Sequence, residues 1–337
     1  MNVHFAVVSA HWRRRSLTVS VSTCRCISMS TREGSLSGSR QVISWRQSKS
    51  QRLGFLPPSA RRFLHRGVDE LGAWTSAARI MPGYLIAGAM RAGTTALHTY
   101  LVTHPAIGRS TAKEIHYFSL NYHRGPAWYR GHFPTRLLQQ YVKHRYGLEL
   151  ISGEATPYYM FHPQAPYRIA SLLPDVKLII VLRNPVDRAY SHFMLARKIG
   201  VEPLPSFEEA LAAEPQRLAG EVEKMSDDPC YRSHSHWLLA YVMRGMYIDQ
   251  LERLHSLFPE KHILVLTSEE LLLDPAAVHG RVLQFLGLPI ITLDNYPQYN
   301  SSRYPPMKTQ TRLQLTDLFA EANQRLYEYL GKDLQWE

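Results

Sequence analysis

One short segment, Gly88-Ala89-Met90-Arg91-Ala92-Gly93-Thr94-Thr95, constrains this 337-residue chain more than any other. It follows an apolar run at 84–87 (YLIA) and opens a stretch at 94–102 that reads as a helix. A strand, a glycine-bounded loop and a helix start, in that order, turn successive backbone amides toward one point at the positive end of the helix dipole. Such a loop binds phosphate-like anions, with threonine hydroxyls as further donors. The spacing is that of a nucleotide-binding P-loop, but the lysine expected after the second glycine is missing. Thr94 holds that place, and the cation, Arg91, sits inside the loop.

A second segment repeats the theme. The run at 177–182 (KLIIVL) is followed by Arg183-Asn184-Pro185, and the helix expected from Pro185 onward carries Ser191. Asn184 can cap that helix, and proline at its first position has a preset φ. A magnesium-dependent NTPase would end such a strand in Asp to hold its metal; this one ends in Arg183. An arginine at the carboxyl edge of a buried strand suits an anion, although a surface pair with Asp187 is the plainer reading. Two anion sites without a metal carboxylate suggest a donor with phosphates at both ends and metal-free chemistry.

A third apolar run lies at 263–266 (ILVL). Helical periods separate the runs, as in Tyr247, Leu251, Leu254 and Phe258, and in Leu315, Leu318, Ala322, Leu326 and Tyr329. Short buried strands alternating with helices predict an α/β, P-loop-like three-layer fold with a central parallel sheet flanked by helices. It reads as one domain, 81–337.

The net charge of +11 invites a nucleic-acid reading until it is divided. Residues 1–80 hold 13 of the 39 Lys and Arg and three of the 28 acids, so the remaining chain is close to neutral. The tail suits an organelle transit peptide, which would place the protein in a plastid or mitochondrion. It equally suits upstream sequence before a true start at Met81, which would leave the protein cytoplasmic. A nucleic-acid arm is the weakest reading, and no nucleic-acid partner is expected. Three cysteines, two of them in the tail, make no disulfide framework. No apolar run is long enough for a transmembrane segment.

Taken in order, these segments resemble a family. Residues 88–95 look like the 5′-phosphosulfate loop of sulfotransferases that use 3′-phosphoadenosine 5′-phosphosulfate (PAPS), and 183–191 like their 3′-phosphate motif. Lys113-Glu114-Ile115-His116-Tyr117-Phe118 and Gly153-Glu154-Ala155-Thr156-Pro157-Tyr158 resemble segments of the heparan sulfate N- and 3-O-sulfotransferase branch. The likeness runs on through Arg244-Gly245-Met246-Tyr247, Ser268-Glu269-Glu270 and Phe285-Leu286-Gly287-Leu288, covering about 82–337.

The resemblance implies a bacterial-type sulfotransferase domain moving a sulfuryl group from PAPS to a hydroxyl or amine of a small-molecule or glycan acceptor, without metal. Donor contacts would come from Arg91, Ala92, Gly93, Thr94 and Thr95, from Arg183 and Ser191, and from Ser302, Arg303 and Tyr304. Glu114, beside His116, is the implied general base, and Glu154 is its rival; either carboxylate could instead be structural. Two departures stand out. The loop lysine of the heparan enzymes is Arg91 here, and the lysine after their second glutamate is Ala155, which puts a highly anionic acceptor in doubt.

Other features carry less. His234 and His236 alternate as metal ligands do but lack a third partner. Tyr158 and Tyr159 suit either an acceptor wall or the core. A P-loop kinase or NTPase, and a catalytically silent nucleotide-binding protein, are the alternatives.

Overall fold

A computed structural model describes residue 67 and residues 70–298 and 304–336. The core is a five-stranded, all-parallel sheet: β1 (Tyr84–Gly88), β2 (Ile107–Arg109), β3 (Ile151–Ala155), β4 (Lys177–Leu182) and β5 (Ile263–Thr267), in the order β2-β3-β1-β4-β5. β1 is buried along its whole length, as is β4 after Lys177. This explains why both read as unbroken apolar runs rather than alternating ones. The predicted three-layer parallel fold is the fold observed. The sequence reading had three of the five strands; β2 and β3 carry Gly, Ser, Arg and Glu and gave no apolar run.

Chain order places β1 at the centre, with β3 on one side and β4 on the other. The connections therefore diverge at the carboxyl ends of β1 and β4, where ligands of open α/β sheets bind. From β1 the chain enters α1 (Thr94–Leu101); from β4 it enters α2 (Pro185–Lys198); from β5 it enters α3 (Ser268–Leu273) directly. α2 starts as expected, with Asn184 Oδ1 accepting from the amides of Val186 (2.9 Å) and Asp187 (3.4 Å) and Pro185 in the first turn. Gly88 ends β1 against Met160, whose Sδ would lie 2.5 Å from an added Cβ, so the loop can leave the strand only because that side is empty.

The division expected after residue 80 does not follow the packing. Residues 70–74 are helical, and Ile80 is part of the core. Arg79 donates to Phe133 O (2.7 Å), and the Ile80 amide to Pro134 O (2.9 Å). These contacts span more than fifty residues of sequence, which is why no local period announced them. Among the described residues no helix is long and apolar enough to cross a membrane.

Candidate active site

A cavity of about 380 Å³ opens over the carboxyl ends of β1 and β4. Its lining includes Arg91, Gly93, Thr94, Thr95, Glu114, His116, Arg183, Ser191 and Tyr304, residues drawn from separate stretches of the chain.

The phosphate loop forms the floor. Gly93 caps α1 with φ 91°, a left-handed conformation that glycine adopts without strain, and no side chain caps the helix. The first α1 amides therefore have no intrahelical partner and point at the cavity. Ala92 departs from expectation: it is buried, its amide is turned back to Ala89 O (3.3 Å), and it does not line the cavity.

Arg91 Nε donates to Ser191 Oγ (2.9 Å), and Arg183 Nη1 donates to Arg91 O (3.1 Å). Residues a hundred positions apart thus meet at one spot. Asp187, the alternative partner for Arg183, pairs with Arg312 instead. Burial lowers the Arg91 pKa, and the neighbouring Arg183 lowers it further against the opposing effect of Tyr304. Two like charges close together in a partly buried place disfavour each other, a cost that an anion between them would relieve. One turn before Ser191, Arg188 is wholly buried; it donates to Tyr241 O, while its Nε and Nη1 have no partner. Its charge adds to a positive field behind the same site.

The catalytic candidates lie across the cavity. Glu114 is partly exposed, with Oε1 3.0 Å from Lys113 Nζ and Oε2 3.6 Å from His116 Nε2. Burial alone would raise its pKa, but Lys113 and His116 overcome that and hold it at about 2. It is therefore a carboxylate at neutral pH. The His116 ring stands edge-on to Tyr158 and Trp237, and its Nδ1 faces Ser119 Oγ at 3.2 Å. Arg91, Glu114 and His116 have φ of 72°, 59° and 55°. The fourth such non-glycine residue described, Gln335, lies near the C-terminus, so left-handed strain collects at this cavity.

Glu154 is placed differently. It is completely buried and does not line the cavity. Its carboxylate accepts from Tyr129 OH (2.7 Å), Tyr159 OH (2.9 Å), Thr156 Oγ1 (2.8 Å) and the Ile115 amide (3.3 Å). Burial raises its pKa against these bonds. With both oxygens occupied it anchors the 114–116 turn through the Ile115 amide.

The tyrosine pair splits: Tyr158 lines the cavity and Tyr159 belongs to the core. His236 is buried, bonded through Nδ1 to Tyr158 OH (2.8 Å) and stacked on Phe161. Its role is packing beneath the cavity wall. Tyr304 stands edge-on to Tyr190 at the cavity margin, whereas Ser302 and Arg303 lie outside the described residues. Arg244, named from the sequence only as part of a resembling segment, also lines the cavity, with Nη1 2.8 Å from the Sδ of Met90, 154 residues away.

A parallel sheet with a lysine-free phosphate loop, an arginine ending the neighbouring strand and a carboxylate opposite defines an enzyme built to transfer a group from an anionic donor. The sulfotransferase domain family matches residues 82–334, and the chain belongs to that family: it is a sulfotransferase. It is 32% identical over 284 residues to heparan sulfate glucosamine 3-O-sulfotransferase 6 of Mus musculus, covering 77% of this chain and 75% of that protein. With the Homo sapiens protein of the same name it is 32% identical over 283 residues, covering 77% and 74%. The crystal structure of a sulfotransferase from Alicyclobacillus acidocaldarius superposes with a TM-score of 0.57 at 30% identity, covering 76% of this chain and 99% of that one.

Proposed function

We propose that the enzyme moves a sulfuryl group from PAPS to a hydroxyl or amine of a glycan. The observation that carries this reading is the meeting of Arg91, Arg183 and Ser191 beside the uncapped start of α1. The α1 amides, Thr94, Thr95 and Arg91 suit the 5′-phosphate, and Arg183 with Ser191 suits the 3′-phosphate. The heparan sulfate sulfotransferases to which the chain is similar support a glycan acceptor.

The residues then divide the work. The donor's sulfur–oxygen bond breaks with its electron pair going to the 5′-phosphate, where Arg91 and the loop amides neutralise the new charge. A bond forms between sulfur and the acceptor oxygen or nitrogen. The acceptor proton passes to the Glu114 carboxylate, which His116 and Lys113 hold in place. Tyr158 and Trp237 offer flat faces for a sugar ring. A kinase would need a lysine where Thr94 stands and a metal-holding carboxylate at Arg183.

Donor binding tests the proposal. By calorimetry in EDTA, adenosine 3′,5′-bisphosphate should bind the full chain tightly and ATP poorly. Arg183→Ala should weaken the bisphosphate by about 2–3 kcal/mol, the scale of a charged hydrogen bond, or roughly 30–150-fold. Equal binding of ATP, or a strict magnesium requirement, would favour the kinase reading.

A further inference from the structure

Arg244 lies in the short 3-10 turn Met243–Gly245, deep under the cavity wall, and is 1% exposed. Its Nη2 donates to His236 O (3.0 Å) and Trp237 O (2.6 Å). Nη1 meets only Met90 Sδ (2.8 Å), a weak acceptor, and Nε has no partner. The guanidinium lies over the Tyr158 and Phe161 rings, 5.2 and 4.9 Å from their centroids. Neither carboxylate near it forms an ion pair with it. Glu214 is occupied by the amides of 241–243, and Glu114 by Lys113 and His116.

A buried arginine without a carboxylate is expensive to keep, since the loss of hydration is met only by carbonyls, rings and a thioether. Burial lowers its pKa to about 9, with Arg188 adding to the effect against Tyr158, Glu214 and Glu114, so it remains a cation at neutral pH. Its position says which anion it awaits. Met90 directly precedes Arg91 in the phosphate loop, so one edge of Arg244 touches that loop. Tyr158, under its other side, stands beside His116, and Glu114 is close enough to act on its charge. Arg244 therefore lines the same cavity and touches both the phosphate loop and the wall that carries the base. The two phosphates of the donor have their own cations, and Arg244 bonds to neither Arg91 nor Ser191.

We propose that Arg244 is a catalytic residue, the cation that faces the non-bridging oxygens of the sulfuryl group as it passes from the donor phosphate to the acceptor. The inference rests on PAPS being the donor. The group in transit keeps its three oxygens and loses one bridging partner as it gains another, so a cation fixed at its side serves the transition state without changing the balance of the reaction.

Arg244→Met and Arg244→Lys test this in the full chain. Turnover of Arg244→Met should fall about 10²–10³-fold, the scale for one preorganised charge donor. Arg244→Lys should recover part of it. Affinity for adenosine 3′,5′-bisphosphate, which has no sulfuryl group, should stay within about twofold, and so should the acceptor KM, while PAPS binds less tightly than to wild type. Equal loss of bisphosphate and PAPS affinity, in both variants, would mean a phosphate-binding or structural role. A raised acceptor KM at unchanged kcat would assign Arg244 to an anionic acceptor group. Either result overturns the proposal. If wild type itself fails to bind the bisphosphate, the donor assignment fails rather than the role of Arg244.

Discussion

Glu114→Gln should lower turnover by about 10²–10⁴-fold, the usual contribution of a positioned general base. The amide keeps the shape of the side chain and its bond toward His116 but cannot accept a proton. Affinity for adenosine 3′,5′-bisphosphate should be unchanged, because Arg91, Arg183, Ser191 and the α1 amides lie across the cavity from it. The pKa adds a second signature. Lys113 and His116 hold the carboxyl near 2, so activity should show no acid limb from Glu114 at moderately acidic pH. Lys113→Met removes a charge 3.0 Å away and should move that limb upward. Stopped-flow turnover against pH measures both. Full activity in Glu114→Gln would remove this residue from the chemistry.

Glu154→Ala should act on stability instead. It would leave two tyrosine hydroxyls, a threonine hydroxyl and the Ile115 amide without an acceptor in a dry interior. Each orphaned donor costs about 1–3 kcal/mol, and partial relaxation brings the total to roughly 3–4. In a domain of this size that corresponds to a melting temperature lower by about 6–12 °C. Turnover should fall as well, because the 114–116 turn loses its support. Glu154→Gln keeps two of the contacts and should be milder on both counts. The raised pKa of the buried acid gives the sign for pH. The unfolded carboxyl ionises first, so the stability contributed by this group is greatest in acid and shrinks as pH rises through its folded pKa. The melting-temperature difference between wild type and Glu154→Gln should therefore narrow from acid toward neutral pH. If Glu154→Gln abolishes turnover at an unchanged melting temperature, Glu154 is the base.

The contrast between these two glutamates shows where sequence reading stops. Both sit in short segments of similar character, and neither spacing nor composition says which one faces solvent. The difference comes from Tyr129 and Tyr159, which close over Glu154 from elements far apart in the chain. The phosphate loop and the Arg183 turn were legible because their determinants are local: glycines at fixed spacing, a cap residue and a proline after an apolar run. The segment that holds Arg244 was legible, but its place at the cavity was not, since its surroundings are built from Met90, Tyr158, Phe161, His236 and Trp237. The packing of Arg79 and Ile80, just before Met81, was hidden for the same reason. Arg79 and Ile80 find their partners at 133 and 134, and no local pattern marks them.

The most direct measurement follows labelled sulfate from PAPS in EDTA with the full chain and a panel of heparan sulfate, its N-desulfated form and unsulfated heparosan. We expect label in at least one glycan, one adenosine 3′,5′-bisphosphate released for each sulfate transferred, and no transfer by Glu114→Gln. No label in any glycan, together with magnesium-dependent transfer of the terminal phosphate of ATP by the same protein, would contradict the account.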